Sequence, residues 1–145
     1  MTFWDSSALL PLVVAEPSTP AILALARGGK DIVIWWLTPV ECASGLRRRR
    51  RAGELTPTAL AKASAVLDKL IDGSLMVEPT DEVPLEALRL VAEHPLRAGD
   101  AVQLAAAVVW AGGPGRAAGK GFVCLDHDLR AAAAAEGFDL LPHRV

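Results

Sequence analysis

Short runs rich in β-branched, aromatic and aliphatic residues alternate along this chain with longer helix-forming stretches. That alternation restricts the fold to an α/β class in which a parallel sheet is covered by helices on both faces. The expected strands are Thr2–Trp4, Ile32–Trp36, Leu75–Val77, Phe122–Leu125 and a short last one over Phe138–Leu141. Helices are expected over Ala8–Ala15 and Thr19–Arg27, from Thr38 into the run Arg47–Arg51, and from Thr56-Pro57 to about Asp72. Further helices are expected over Pro84–Glu93, Asp100–Trp110 and Leu129–Glu136. Gly28-Gly29 and Gly137 read as helix stops, and Pro39 and Pro57 as residues of the first turn. The two helices between Thr38 and Asp72 are expected to pair as a hairpin, and Gly112–Gly121 reads as a flexible connector within one domain. At 145 residues and 52% hydrophobic composition, residues 1–145 form a single domain with enough apolar surface for a core.

Composition excludes several classes. A formal charge of -2 means that contact with a polyanion requires a local basic patch. Cys42 and Cys124 lie far apart, without metal-ligand spacing, and read as reduced thiols. The N-terminal apolar run has no basic lead and is interrupted by Pro11, so it does not read as a signal peptide. No stretch approaches the roughly 20 apolar residues of a membrane span, which points to a soluble, cytoplasmic protein with no membrane partner. Gly119-Lys120 lacks the Ser or Thr of a phosphate-binding loop and precedes a strand, which argues against an NTPase. His94, His127 and His143 show no metal spacing, and Trp4, Trp35, Trp36 and Trp110 read as core. The paired acids of a receiver domain and the Asp-x-Asp of a haloacid-type phosphatase are both missing at Asp5-Ser6-Ser7.

Four acids stand out, and each has a local structural role open to it. Asp5 is placed to cap the helix after the first strand, and Thr38 with Glu41 has capping-box spacing. Asp100 with Gln103 reads as a similar cap, and Asp126 or Asp128 as the cap of the last helix. The topology brings them together. Strand-to-helix junctions of parallel strands open on the carboxyl edge, where α/β proteins place ligands. Asp5, Glu41 and Asp126 fall there directly. Asp100 joins them by parity, because its helix must end near the opposite edge to feed the fourth strand. Four converging carboxylates repel unless a cation compensates them, and hard oxygen donors select Mg²⁺ or Mn²⁺. A pair of such ions activates water and clamps the oxygens of a phosphodiester in an in-line displacement. Asp5 is the expected central ligand, with Glu41, Asp100 and Asp126 completing the ring, Asp128 an additional candidate, and Ser6 and Ser7 supporting the acids from behind. In the basic run, Arg47, Arg48, Arg50 and Arg51 are candidates for gripping nucleic-acid phosphates, and equally for balancing the helix dipole.

The blocks Phe-Trp-Asp5-Ser-Ser-Ala-Leu-Leu, Thr-Pro-Val-Glu41-Cys-Ala-Ser-Gly-Leu, Leu-Arg-Ala-Gly-Asp100-Ala-Val-Gln-Leu-Ala-Ala-Ala and Phe-Val-Cys-Leu-Asp126-His-Asp-Leu resemble, in order and spacing, those of PIN domains. Nearly the whole chain is similar to the VapC-type toxins of toxin–antitoxin pairs. The resemblance implies a PIN-like three-layer sandwich around a doubly wound, mostly parallel five-stranded sheet. It also implies a Mg²⁺- or Mn²⁺-dependent endoribonuclease with Asp5, Glu41, Asp100 and Asp126 as catalytic acids. Structured RNA such as tRNA or rRNA is the implied substrate, the toxin a homodimer restrained by an antitoxin. The antitoxin is expected on the first two helices and the hairpin Thr38–Asp72. One departure is Cys124, where the family often carries Thr or Ser. The competing reading is a non-catalytic PIN-like module that binds RNA or a partner and keeps its acids only as caps.

Overall fold

The computed structural model describes residues 1–145. Five strands, β1 (Thr2–Trp4), β2 (Ile32–Trp35), β3 (Leu75–Val77), β4 (Gly121–Val123) and β5 (Asp139–Leu141), form one sheet in the order β3-β2-β1-β4-β5. Every pairing is parallel, with Phe3 opposite Val33 on one side and Phe122 on the other. The sheet expected to be mostly parallel is therefore parallel throughout.

Strand residues alternate between two apolar cores, as a period of two requires. Phe3, Val33, Trp35, Phe122 and Cys124 face one core. It is completed by α5 (Glu82–Glu93), α6 (Ala98–Ala111) and α7 (His127–Ala135). Trp4, Ile34 and Val123 face the other. That core is covered by α1 (Ser6–Leu9), α2 (Thr19–Arg27), α3 (Thr38–Arg51) and α4 (Pro57–Asp72). Burial on both faces explains why β1, β2 and β4 read as continuous apolar runs. The result is the parallel sheet covered on both faces that the alternation predicts, in the three-layer, doubly wound form that the resemblance implies. The α3–α4 hairpin forms as expected, with Thr56 capping α4 by accepting from the Ala59 N–H at 3.1 Å.

Several boundaries move for identifiable reasons. The helix expected over Ala8–Ala15 is only the short α1, followed by a 3-10 turn at Leu10–Leu12. Pro11 lacks the N–H that would continue the α-helical ladder. The strand expected to reach Trp36 ends at Trp35, and Trp36 is 47% exposed rather than in the core. Trp110 does pack against the core, tilted on Phe3 at 6.2 Å between centroids, with the Lys120 ammonium 5.4 Å from its ring centroid. Gly121 permits the close spacing of β1, β4 and β5, since a Cβ there would lie 2.8 Å from Thr2 Cγ2 and 3.2 Å from Leu141 Cδ1. No helix is long and apolar enough to cross a membrane.

After β3 the chain returns through α5 and α6 to the far side of β1, so strand order reverses between β1 and β4. The crevice beyond the carboxyl ends of these two strands is where this topology leaves room for a ligand.

Candidate functional site

Asp5 follows β1 at this switch point, and Asp126 follows β4. The backbone N–H of Asp5 bonds the Val123 carbonyl at 2.9 Å. Its side chain accepts from the Ser7 N–H at 3.1 Å and lies 3.7 Å from the Cys124 thiol. Only 4% of Asp5 is exposed, and burial pushes its carboxyl above the ordinary range against the pull of those hydrogen bonds. Glu41 reaches the same crevice from α3 and accepts from the Ser6 hydroxyl at 3.0 Å. Burial, and then the charges of Asp5 and Asp100, push it up to about 7. Asp100, in the first turn of α6, is raised by burial and by Asp126 and Asp5, with Arg97 acting in the opposite direction. Asp126 stands exposed at the rim and caps α7 by accepting from the Leu129 N–H at 2.9 Å.

All four acids line one cleft of about 630 Å³, together with Ser6, Ser7, Glu16, Arg48 and Arg49. Asp128 lies outside it. With Asp100, Asp126 and Arg97 it lines an adjoining recess of about 370 Å³. Of the basic run, Arg48 faces the main cleft, as does Arg49, which is paired with Glu16. Arg47 lines a separate recess between α3 and α4 with Leu60 and Leu67, and Arg50 and Arg51 do not line the cleft. Successive residues turn about 100° around a helix, so five consecutive arginines cannot share one face.

The capping roles divide. Asp5 and Asp126 are both caps and members of the cleft. Thr38 and Glu41 form no capping box, because Leu37 is the N-cap of α3 and the Thr38 hydroxyl is engaged elsewhere. It accepts from the Trp35 N–H at 3.1 Å and donates to Gln103 Oε1 at 3.4 Å. Asp100 and Gln103 form no cap either, since α6 starts at Ala98. Gln103 is fully buried and donates from Nε2 to the Trp4 carbonyl at 3.5 Å. Thr38 and Gln103 thus tie together β1, α3 and α6, the carriers of Asp5, Glu41 and Asp100. A lone Gln in an otherwise apolar helix is the sequence signal for this tie. Ser7 adds a second one, accepting from the Leu125 N–H at 3.0 Å and so fastening the end of β1 to the end of β4.

The donor set suits a divalent cation. It consists of oxygens alone, and none of the four carboxylates belongs to an ion pair with Lys, Arg or His. No ion pair therefore neutralises them, and the carboxyls of Asp5, Glu41 and Asp100 are raised, chiefly by burial. No three of the four acids offer oxygens within 4.8 Å of one another. The only three ligand atoms within 4.8 Å of one another belong to Glu93, His94 and Glu136, at the C-terminal ends of α5 and α7. That trio is already engaged by an arginine. Arg89 donates to Glu86, to Glu93 at 2.7 Å and to Glu136 at 2.8 Å, and His94 lies 2.8 Å from Glu136. A guanidinium at the centre of the cluster makes it an ion network joining α5 to α7, and Arg89 pulls the Glu136 carboxyl down. Sequence spacing gave no sign of it, because Glu136 is remote from Arg89 in the chain.

Among solved structures, the chain is similar to VapC20 of Mycobacterium tuberculosis, a sarcin-ricin loop cleaving toxin, with a TM-score of 0.67 at 17% identity over 96% of this chain and 97% of that one. The fold is PIN-like. A second structural neighbour is PAE2754 of Pyrobaculum aerophilum, at TM-score 0.65 and 21% identity over 97% of this chain and 88% of the other. A third is a chain of a toxin–antitoxin complex from Klebsiella pneumoniae, at TM-score 0.61 and 14% identity over 88% and 89%. No family model and no curated protein matches the sequence.

Proposed function

We propose that this chain is the toxin of a toxin–antitoxin pair, a Mg²⁺- or Mn²⁺-dependent endoribonuclease cleaving structured RNA such as tRNA or rRNA in the cytoplasm. The carrying observation is the convergence of Asp5, Glu41, Asp100 and Asp126, none of them in an ion pair, in one cleft of a PIN-like fold. Asp5 and Asp100 are the proposed inner metal ligands, with Glu41 and Asp126 completing the shell directly or through water and Asp128 reserved for the outer rim. The bound ion would supply Lewis-acid activation of water and charge neutralisation at the phosphodiester.

The chain's own part is positional. Ser6 orients Glu41, and the Ser7 N–H orients Asp5. The Thr38–Gln103 tie holds β1, α3 and α6 in place beneath them. Arg48 offers charge to a phosphate entering the cleft. Cys124 occupies a position where a hydroxyl is common, and its Sγ lies 3.7 Å from both Asp5 and Ser7. There it fills space beside Asp5 and is not a ligand in this proposal.

The neighbours also frame the partners. The toxin–antitoxin complex motivates an antitoxin docked over α1, α2 and the α3–α4 hairpin. A homodimer is the proposed assembly, and Leu85, Leu88 and Val91, left exposed on α5, are apolar surface available for it.

The test is a cleavage time course on total RNA with Mn²⁺, Mg²⁺ or EDTA, beside the Asp5→Asn variant. Cleavage that requires metal and falls at least about a thousandfold in a folded variant supports the proposal. A wild type that neither cleaves nor binds divalent cations in a titration overturns it in favour of a binding module whose acids serve as caps.

A further inference from the structure

Asp100 and Asp126 line both the main cleft and the smaller recess, so these two acids form a ridge with a cavity on either side. Each cavity holds an arginine outside every ion pair of the fold. Arg48 stands in the main cleft, where its guanidinium donates to the neutral Ser44 hydroxyl at 3.2 Å, and Arg97 stands in the recess. Both side chains belong to exposed residues. The other cations near the ridge are engaged: Arg49 by Glu16, and Arg130 by the carbonyls of Cys124, Leu141 and Pro142. An unpaired guanidinium in a polar cavity beside an acidic centre has one evident use in a nuclease, which is to hold the phosphates flanking the one to be cut.

Resting on the nuclease reading above, we propose that Arg97 is a substrate-binding residue that holds the RNA backbone across the acidic ridge from Arg48. The acids at the ridge then meet an internal phosphodiester rather than a chain end. Asp5 is recessed while Asp126 and Asp128 stand at the rim. A single strand can dip a phosphate to that depth, whereas a duplex holds its phosphates on a wide cylinder. The Pro95-Leu96 wall of the recess would lie beside the nucleotide next to Arg97. Arg97 is thereby assigned to substrate binding although no acid of the metal set depends on it for position.

The experiment uses the full chain carrying Asp5→Asn, so that RNA is bound but not cut, and follows a labelled single-stranded oligoribonucleotide by fluorescence anisotropy across a salt series. Arg48→Ala and Arg97→Ala should each weaken binding about five- to twentyfold, and each should reduce the slope of log affinity against log salt by about 0.7. Arg→Lys at either position should restore most of the affinity. In the cleaving protein, Arg97→Ala should raise KM with kcat largely kept. Shortening the oligonucleotide from one end should abolish the effect of one arginine while leaving that of the other. Unchanged affinity and slope in Arg97→Ala, with a normal circular dichroism spectrum, overturns the two-sided track even if wild-type cleavage is robust. An Asp5→Asn parent without RNA affinity at low salt, together with a wild type that never cleaves, overturns the nuclease reading itself and the track with it.

Discussion

Replacing Glu41 by Gln should stabilise the metal-free protein at alkaline pH and leave it nearly unchanged in acid. The carboxyl of Glu41 is pushed up from 4.5 to about 7, chiefly by burial and then by Asp5 and Asp100. Ionising it is therefore less favourable in the folded protein than in the unfolded chain by about 3 kcal/mol, and by about 2 kcal/mol once its partial exposure is allowed for. The sign follows from linkage. A carboxyl whose folded pKa is raised contributes stability that is present below 4.5 and lost as pH rises through about 7. Gln keeps the acceptor for the Ser6 hydroxyl and removes the charge. In EDTA at about pH 8 the variant should melt roughly 4–8 °C above the wild type, for a domain of this size. At about pH 5 the difference should shrink to less than about 1 kcal/mol, because the wild-type carboxyl is then mostly protonated. Adding Mg²⁺ at about pH 8 should raise the wild type more than the variant and narrow the gap. Thermal unfolding followed by circular dichroism at the two pH values, with and without metal, measures all of this. A variant no more stable than wild type at about pH 8, or one with the same gain at both pH values, refutes the claim that uncompensated charge is stored in this cleft.

Arg89→Ala should cost about 2 kcal/mol, read as a loss of roughly 4–8 °C in Tm, because Glu136 is 9% exposed and loses its main counter-charge. Since Arg89 and His94 lower the Glu136 pKa, the difference from wild type should fade as pH drops through the carboxylate range, and urea titrations at about pH 7 and pH 3 would check it. Gly121→Ala should destabilise by about 1–3 kcal/mol, as its Cβ would lie 2.8 Å from Thr2 Cγ2. Thr2→Ser removes that methyl while keeping the oxygen that accepts from Trp4 Nε1 at 2.8 Å, so the double variant should recover about 1 kcal/mol in a thermodynamic cycle.

The sequence by itself determined what depends on near neighbours in the chain. Runs such as Thr2–Trp4 and Phe122–Leu125 have the composition of strands buried on both faces, and the helical stretches between them require parallel crossovers. Parallel strands in turn send their carboxyl ends to one edge, which is why Asp5 and Asp126 were legible both as caps and as members of a common site. Even Asp100, which no strand precedes directly, could be placed by the direction its helix must run. Tertiary structure decided whatever depends on rotation about a helix or on packing between distant segments. It sent Arg48 and Arg49 to the cleft and Arg47 away from it, turned Thr38 and Gln103 from apparent caps into a buried tie, and set Arg89 among acids from two helices. Capping patterns are carried by residues three or four apart and are readable locally. A hydrogen bond spanning 65 positions, as between Thr38 and Gln103, exists only because α3 and α6 bring the two residues together where β1 ends. The same holds for the charge of the site: each acid alone is an ordinary solvated carboxylate, and only their convergence around a buried Asp5 makes them a centre that calls for a cation.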